Sequence, residues 1–476
     1  MNSTSYYNWF KKVIAIFIEL FFFFTVISSL YVFTEPFSGS MKAIVFVIIA
    51  VVIGLFLYFF RNKIKDIINK LIHLISKLNT KQKVCVIILT MLVLKVVYTI
   101  LLYFDPTQGG DIGIYSNIAD HILENGIFGS NEISHLMGLG IHLAVIKGLG
   151  IPYHIGIFVI FLIGTIINFF SFKNIIGENK SFLVVMLYIL MPSTMLLTFC
   201  PTHEIFIYLY FSIFIYVLNS LIKTDNVRNR ILLSIVLVID VILANSVSPM
   251  GKLLYIIIGL LVLLSNIDKI NKIIVICLLV ISLLGSNLIS DKISPNDYRT
   301  TWNTYSILMY GSSIECNGEH SDTYTQETIR NYYTNHPEEE DTIENVTVVL
   351  RNQLISNYIY LLSHPIDMVK LFAHKYYKFW SGDHYSIEIM NSYLGINTYI
   401  YYLLLVISEF IYLGINALSI ALYRKKEDDI NISNSKLLLL GVVGVLILSL
   451  VLNKYSIPIT IFMFMIAVYR TDLIEE

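Results

Sequence analysis

The stretch LMPSTMLLTFCPTHEIFIYLYFSIFIYVL, residues 190–218, decides what kind of fold this chain adopts. Its second half is an apolar run, with Glu204 at its head, and the run is long enough to cross a hydrocarbon core of roughly 30 Å. Its first half ends an earlier apolar run at Pro192 and Ser193. Proline has no backbone N–H and clashes with the turn before it, so a helix arriving there must break. Working outward, apolar runs of about 17–25 residues, the span length for a helix, recur along the chain. We count twelve, at roughly 13–33, 42–60, 84–104, 152–172, 181–200, 203–222, 231–248, 252–266, 273–290, 398–422, 436–452 and 455–470. Unpaired backbone polar groups are costly in lipid, so each run is expected to be a helix. The composition agrees: 56% hydrophobic residues, 14% charged and a mean hydropathy of +0.71, where soluble domains carry about 25% charged residues. The fold class is therefore an all-α polytopic membrane protein.

Lys and Arg set the orientation. Lys11 and Lys12 precede the first run, and Arg61, Lys63, Lys65, Lys70, Lys77, Lys81 and Lys83 fill the second connection. Lys173, Lys180, Lys223, Arg228, Arg230, Lys269, Lys272, Arg424, Lys425, Lys426 and Arg470 fall on the same side of a twelve-span chain, whereas the opposite short loops hold only Lys42, Lys252 and Lys454. Both termini are expected in the cytoplasm of a bacterial plasma membrane, a setting suggested by the richness in Ile, Asn, Lys and Tyr. The two long connections, 105–151 and 291–397, then face outward. The net charge of −1 says nothing about nucleic acid, and with no basic tail to bind it no nucleic-acid partner is expected. The first run is too long for a signal-peptide core and reads as a retained helix. Four cysteines make no disulfide framework and no metal spacing.

The chain divides accordingly. Residues 1–83 hold two spans and a cytoplasmic amphipathic segment, DIINKLIHLISKL, expected to lie along the inner interface. Residues 84–290 form a membrane core with the first outer loop, 291–397 an outer loop domain, and 398–476 the C-terminal spans. In the first outer loop, FDPTQGGDIGIYSNIADHILENG (residues 104–126) places Asp111 in a Gly-Gly turn at the head of a helical pattern over 112–125, with Gly126 as its stop. Asp111 can act either as an N-cap or as a carboxylate working at the membrane surface. A second helix is expected near 136–150. In the outer domain we count 14 acidic residues against 7 Lys or Arg. Its later part, NYIYLLSHPIDMVKLFAHKYYKFWSGD (residues 357–383), predicts a helix opened by Pro365. Val369, Phe372, Ala373 and Tyr376 are its apolar face, and His374, Lys375 and Lys378 lie on or beside the other, as on a helix at headgroup level.

Three segments, in this order, carry a resemblance: D-x-x-x-Y-x-x-x-A at Asp111, Tyr115 and Ala119; the Pro-broken run with Glu204; and NKYSIPITIFMFMIA (residues 453–467) opening the final span. Together they resemble the polytopic glycosyltransferases of the GT-C class, in particular bacterial relatives of the protein O-mannosyltransferase and lipid A aminoarabinose transferase group (glycosyltransferase family 39). The chain departs from that pattern in three places. Two spans precede the acidic loop, Asn453-Lys454-Tyr455 stands where relatives carry Glu-Arg-Tyr, and Ser248-Pro249 replaces an Arg-Pro.

The resemblance implies transfer of a sugar from a polyprenyl-phosphate carrier to an envelope glycan, lipid or protein acceptor on the outer face. Phosphate is already a good leaving group, so one base suffices to take the acceptor's proton as it attacks C1 with inversion. Asp111 takes that role. Glu204 is the second acidic residue, placed to orient Asp111 or the acceptor, or to hold a divalent cation with His203; an ionisable residue at a span boundary is a functional candidate in its own right. The departing phosphate needs cations, for which Lys454, Lys252, Arg299, Lys375 and Lys378 are candidates, while Tyr115 and Tyr455 are candidates for sugar contact. Lys95 and Asp240 lie inside spans and read as polar contacts within the bundle. Rival readings are a lipid-linked polysaccharide polymerase or ligase, and a non-catalytic transporter or scaffold.

Overall fold

The computed structural model describes residues 3–34, 38–102, 110–127, 134–247, 255–256, 258–259, 262–263, 268–293, 298–340, 342–380, 387, 397–424, 436, 457–471 and 473. Among them the chain is helical, with a single isolated bridge between Tyr423 and Thr471. The helices are α1 (Ser3–Val32), α2 (Gly39–Ser76), α3 (Thr80–Leu102), α4 (Gly110–Asn125), α5 (Ser134–Gly148), α6 (Tyr153–Ile176), α7 (Glu178–Leu190), α8 (Pro192–Leu196), α9 (His203–Lys223) and α10 (Val227–Val247). They continue with α11 (Lys269–Ile293), α12 (Tyr298–Ser312), α13 (Asp322–Asn335), α14 (Ile343–Ser363), α15 (Pro365–Trp380), α16 (Thr398–Ala421) and α17 (Ile457–Tyr469).

Eight of these are long and apolar enough to cross a membrane, and a ninth span forms if α7 and the bent segment after it count together. Of the twelve expected runs, nine of the fifteen residues of 252–266 and all but Lys436 of 436–452 lie outside the described residues. The protein is a polytopic helical membrane protein. Its core is built by α6, α7 and α9 around Phe161, Tyr188 and Tyr208, whose ring centroids lie 5.1–6.0 Å apart, with the two tyrosines stacked.

The lower part of the second connection differs from expectation. Residues 61–76 do not form a separate interfacial helix; they continue α2, a helix of 38 residues. Nothing between Phe60 and Ser76 breaks a helix, since the segment holds neither Gly nor Pro. The amphipathic pattern nonetheless has its use, because Ile72 and Ile75 are buried. The apolar upper part of α2 is not buried at all.

Polar contacts fix the end of the bundle that the Lys and Arg pattern assigns to the cytoplasm. Glu178 opens α7 and accepts from Lys83 Nζ at 2.9 Å and from Thr80 Oγ1 at 2.7 Å, with Lys173 also paired to it. This carboxylate joins the start of α3, the end of α6 and the start of α7.

At the opposite end, α5 crosses α10 closely enough to require glycine. A Cβ built on Gly138 would stand 1.8 Å from the Ser246 carbonyl oxygen. Gly138→Ala is therefore expected to force the helices apart and cost about 1–3 kcal/mol, the usual penalty of overpacking. Gly54→Ala on α2, where nothing lies within 4 Å, should be neutral or slightly stabilising. Thermal unfolding of the purified variants measures both.

Candidate functional site

The break read at Pro192 is present and large. The segment Pro192–Phe199 turns 69° from α7, with Pro192 at the first position of α8. A short 3₁₀ turn, Leu197–Phe199, follows before α9 starts at His203. A turn of this kind leaves carbonyls without helical partners, and Lys95 of α3 satisfies one of them. Its Nζ donates to the Thr198 carbonyl at 3.0 Å and to Thr198 Oγ1 at 3.1 Å, and lies 3.2 Å from the centroid of Phe199. The intramembrane lysine thus anchors the break.

Glu204 follows in the first turn of α9, a position that suits a carboxylate electrostatically. It is 1% exposed, and His203 Nε2 stands 3.1 Å from its Oε1. Cys200, also buried, is within electrostatic range of both Lys95 and Glu204. Among the described residues no three His, Cys, Asp or Glu side chains are grouped so as to hold a metal ion. A cation at His203 and Glu204 would need further donors from outside them.

The first outer loop folds as read, into α4 and α5. Helix α4 begins at Gly110, so Asp111 is in its first turn, and the positive φ of Gly126 (88°) ends it. The Asp111 side chain lies outside the described residues. Tyr115 and Ala119, one and two turns on, are buried, as are Ile118 and Ile122, which flank Gly140 of α5. Helix α5 in turn meets the start of α9, where the His142 ring is 5.0 Å from Phe206. The helix that Asp111 opens and the helix that Glu204 opens are thereby joined through α5.

The cationic candidates fare differently. Lys252, Lys454 and Tyr455, and the side chain of Arg299, lie outside the described residues. Lys375 is on a buried face of α15 with Leu371 and Phe379, not on its polar face. Spacing explains this: positions 371, 375 and 379 fall every fourth residue along one side. Its Nζ donates to the Gly311 carbonyl at 2.9 Å, and its stem packs where a Cβ on Gly318 (φ +77°) would stand 2.8 Å away. Lys378 and His374 both reach Glu319, so the end of α12 at Gly311 and the segment after it at Glu319 are held to α15 by three basic side chains. The other side of α15 docks on α1. Tyr376 donates to the Phe21 carbonyl at 2.7 Å, and Trp380 meets the Phe21 ring edge-on at 4.8 Å.

Burial pushes the Lys375 ammonium down to about 7 from 10.5. Between those values the unfolded chain holds a proton that the folded chain has released, so stability should rise with pH from about 7 to 10.5. In Lys375→Met this rise should flatten. Unfolding midpoints of the two proteins across that range would check it.

Two buried groups went unread in the sequence. Glu409 is fully buried within α16, beside Ser408, whose Oγ accepts from the Ser193 backbone N–H at 3.1 Å. A lone Glu in an otherwise apolar run was its signal. His142 was missed because nothing in the sequence points it at Tyr210, to whose hydroxyl its Nε2 is hydrogen-bonded.

No protein-family model matches the chain, and neither does any curated protein. A comparison of folds finds similarity to the crystal structure of ArnT from Cupriavidus metallidurans bound to undecaprenyl phosphate, over 80% of this chain and 76% of that one, at 10% sequence identity and a TM-score of 0.37.

Proposed function

We propose that this protein is an integral membrane glycosyltransferase that moves a sugar from a polyprenyl-phosphate donor to an acceptor on the extracytoplasmic face. The observation that supports this reading is the arrangement around α9. A buried carboxylate, Glu204, heads the helix directly after a sharply broken span, and α5 ties it to the short helix that Asp111 opens. The ordered motifs at Asp111, Glu204 and Lys454-Tyr455 add to it.

In this mechanism Asp111 takes the proton of the acceptor hydroxyl while that oxygen attacks C1 from the face opposite the phosphate. The C1–O bond to phosphate breaks, its electrons leave with the phosphate, and the anomeric centre inverts. Glu204, braced by His203, orients the base or the acceptor, or joins a divalent cation. Lys454 neutralises the departing phosphate; Lys252 and Arg299, which the charge pattern also assigns to the outer side, are the further candidates for that role. Residues 84–290 and 398–476 form the catalytic membrane body, 291–397 its outer cover, and both termini are cytoplasmic.

Transfer from a polyprenyl-phosphate-sugar donor, measured in membranes with expression checked, tests the reading. Lys454→Ala should lose on the order of 10²-fold in rate, as expected when a preorganised charge is removed from a transition state. Lys454→Arg should retain much of it despite its different geometry. No transfer above the deletion strain by the wild-type protein, across donors, would overturn the proposal.

A further inference from the structure

At the corner where α14 turns into α15, Ile355, Ile359, Leu362, Ile366 and Val369 are each 51–76% exposed. A cluster of bare apolar side chains marks a surface that something covers. On α14 the first three follow at intervals of four and three, so they share one side of the helix. The opposite side is already used. Val346, Leu350 and Leu354 pack there with Met309 and Tyr310 of α12, and Leu361 is buried as well. The exposed stripe is therefore no part of the core beneath it.

Helix α15 ties this corner to the membrane. Tyr376 and Trp380 dock on Phe21, which lies within the apolar span Lys12–Tyr31. Tyr377 meets Tyr31 at the end of that span, with ring centroids 5.0 Å apart. Val369, Ala373, Tyr376 and Trp380 fall on one side of α15. That side rests on a membrane helix at one end and, about 10 Å earlier at 1.5 Å per residue, runs past it into the open at Val369. The neighbouring surface of α1 faces lipid, since Phe24 meets Tyr376 at 6.1 Å and is itself exposed. The medium that covers Phe24 is thus the one that Val369 meets.

Charge points the same way. The basic residues expected at headgroup level, His374, Lys375 and Lys378, are engaged with Gly311 and Glu319 of the protein. Other groups at the corner suit that level. Tyr360 stacks on His364 at 4.1 Å, and Lys370, paired with Asp367 at 3.2 Å, has a stem that can lie along lipid while its ammonium stays in water. The exposed carboxylates Glu338, Glu339 and Glu340 precede the far end of α14, roughly 30 Å along the helix from the corner. Carboxylates beside hydrocarbon would be costly. A helix with them before its start and bare Ile and Leu at its end is arranged for water at the first and lipid at the second.

We propose that the α14–α15 corner is a lipid anchor, in which Leu362, Ile366 and Val369, followed by Ile355 and Ile359, enter the boundary between headgroups and acyl chains in the leaflet around the Tyr31 end of α1. The anchor does not depend on the transferase reading. The test compares three single variants of the full-length protein, Leu362→Trp, Ile366→Trp and Glu338→Trp. Each is reconstituted as one copy per phosphatidylcholine nanodisc, with or without bromine on the acyl chains near the headgroup. Trp9, Trp302 and Trp380 are common to all, so the wild-type signal is subtracted. Brominated lipid should quench the fluorescence added by Leu362→Trp and Ile366→Trp roughly tenfold more strongly than that added by Glu338→Trp. Iodide in the buffer should give the reverse order, because a bare anion does not enter hydrocarbon. If one corner variant fails to fold, the other decides. Bromine quenching at the corner no stronger than in Glu338→Trp would overturn the proposal, leaving the patch as a surface for a second copy or another protein.

Discussion

Asp111→Asn is expected to lower glycosyl transfer by about 10²–10⁴-fold, the usual contribution of a positioned base, while leaving the unfolding midpoint nearly unchanged. The substitution separates two roles that the sequence alone leaves open. Asp111 stands in the first turn of α4 and not at the capping position before it, and there the loss of its charge costs only about 0.3–1 kcal/mol. A carboxylate that only organises the start of α4 would thus be replaced almost without consequence, whereas a base would not, because an amide does not accept the acceptor's proton. Full activity of Asp111→Asn, with wild-type expression, would end its assignment as the base and pass that role to Glu204.

Lys95→Met should show the opposite pattern, with stability affected first. The methionine keeps most of the apolar stem but removes both hydrogen bonds to Thr198. The Thr198 carbonyl, at the end of a 3₁₀ turn inside the bundle, is left unpaired, which costs about 1–3 kcal/mol. The melting temperature of the purified protein should fall by several degrees. Activity should fall as well, because the segment Lys95 holds leads within six residues to Glu204. A variant with unchanged melting and unchanged turnover would mean that the break is held by other contacts.

What the sequence revealed and what it hid can be separated by the kind of interaction involved. Spans, the break at Pro192, the stop at Gly126 and the start at Pro365 were legible because each depends on local chemistry: run length, a missing N–H, or a permitted positive φ. The continuation of α2 through residue 76 is not legible from amphipathicity, which marks a face and not an end; no Gly or Pro there interrupts the helix. The charge of Lys375 points to a polar face, whereas its spacing of four from Leu371 and Phe379 puts it on the buried one. Long-range pairings could not be read at all. Lys95 with Thr198, His142 with Tyr210 and Tyr376 with Phe21 each join residues far apart in the chain, and no local pattern encodes such a partner. For the candidate site, the residue types were legible but the brace at Lys95 and the link through α5 were not.

The docking of α15 on α1 has a consequence for how the protein is made. Tyr376 and its acceptor Phe21 are separated by 355 positions, so α1 enters the membrane long before its partner exists. At about 5–20 residues per second of synthesis, that interval is roughly 20–70 s. During it the face of α1 carrying Ile18, Phe21, Phe22 and Thr25 waits in lipid, which solvates its apolar groups and leaves the aggregation hazard of an exposed soluble core largely absent. The earliest helix and the last part of the outer segment are then joined in a late step. Chains truncated before residue 365 should insert their spans but leave the N-terminal helix without this closure.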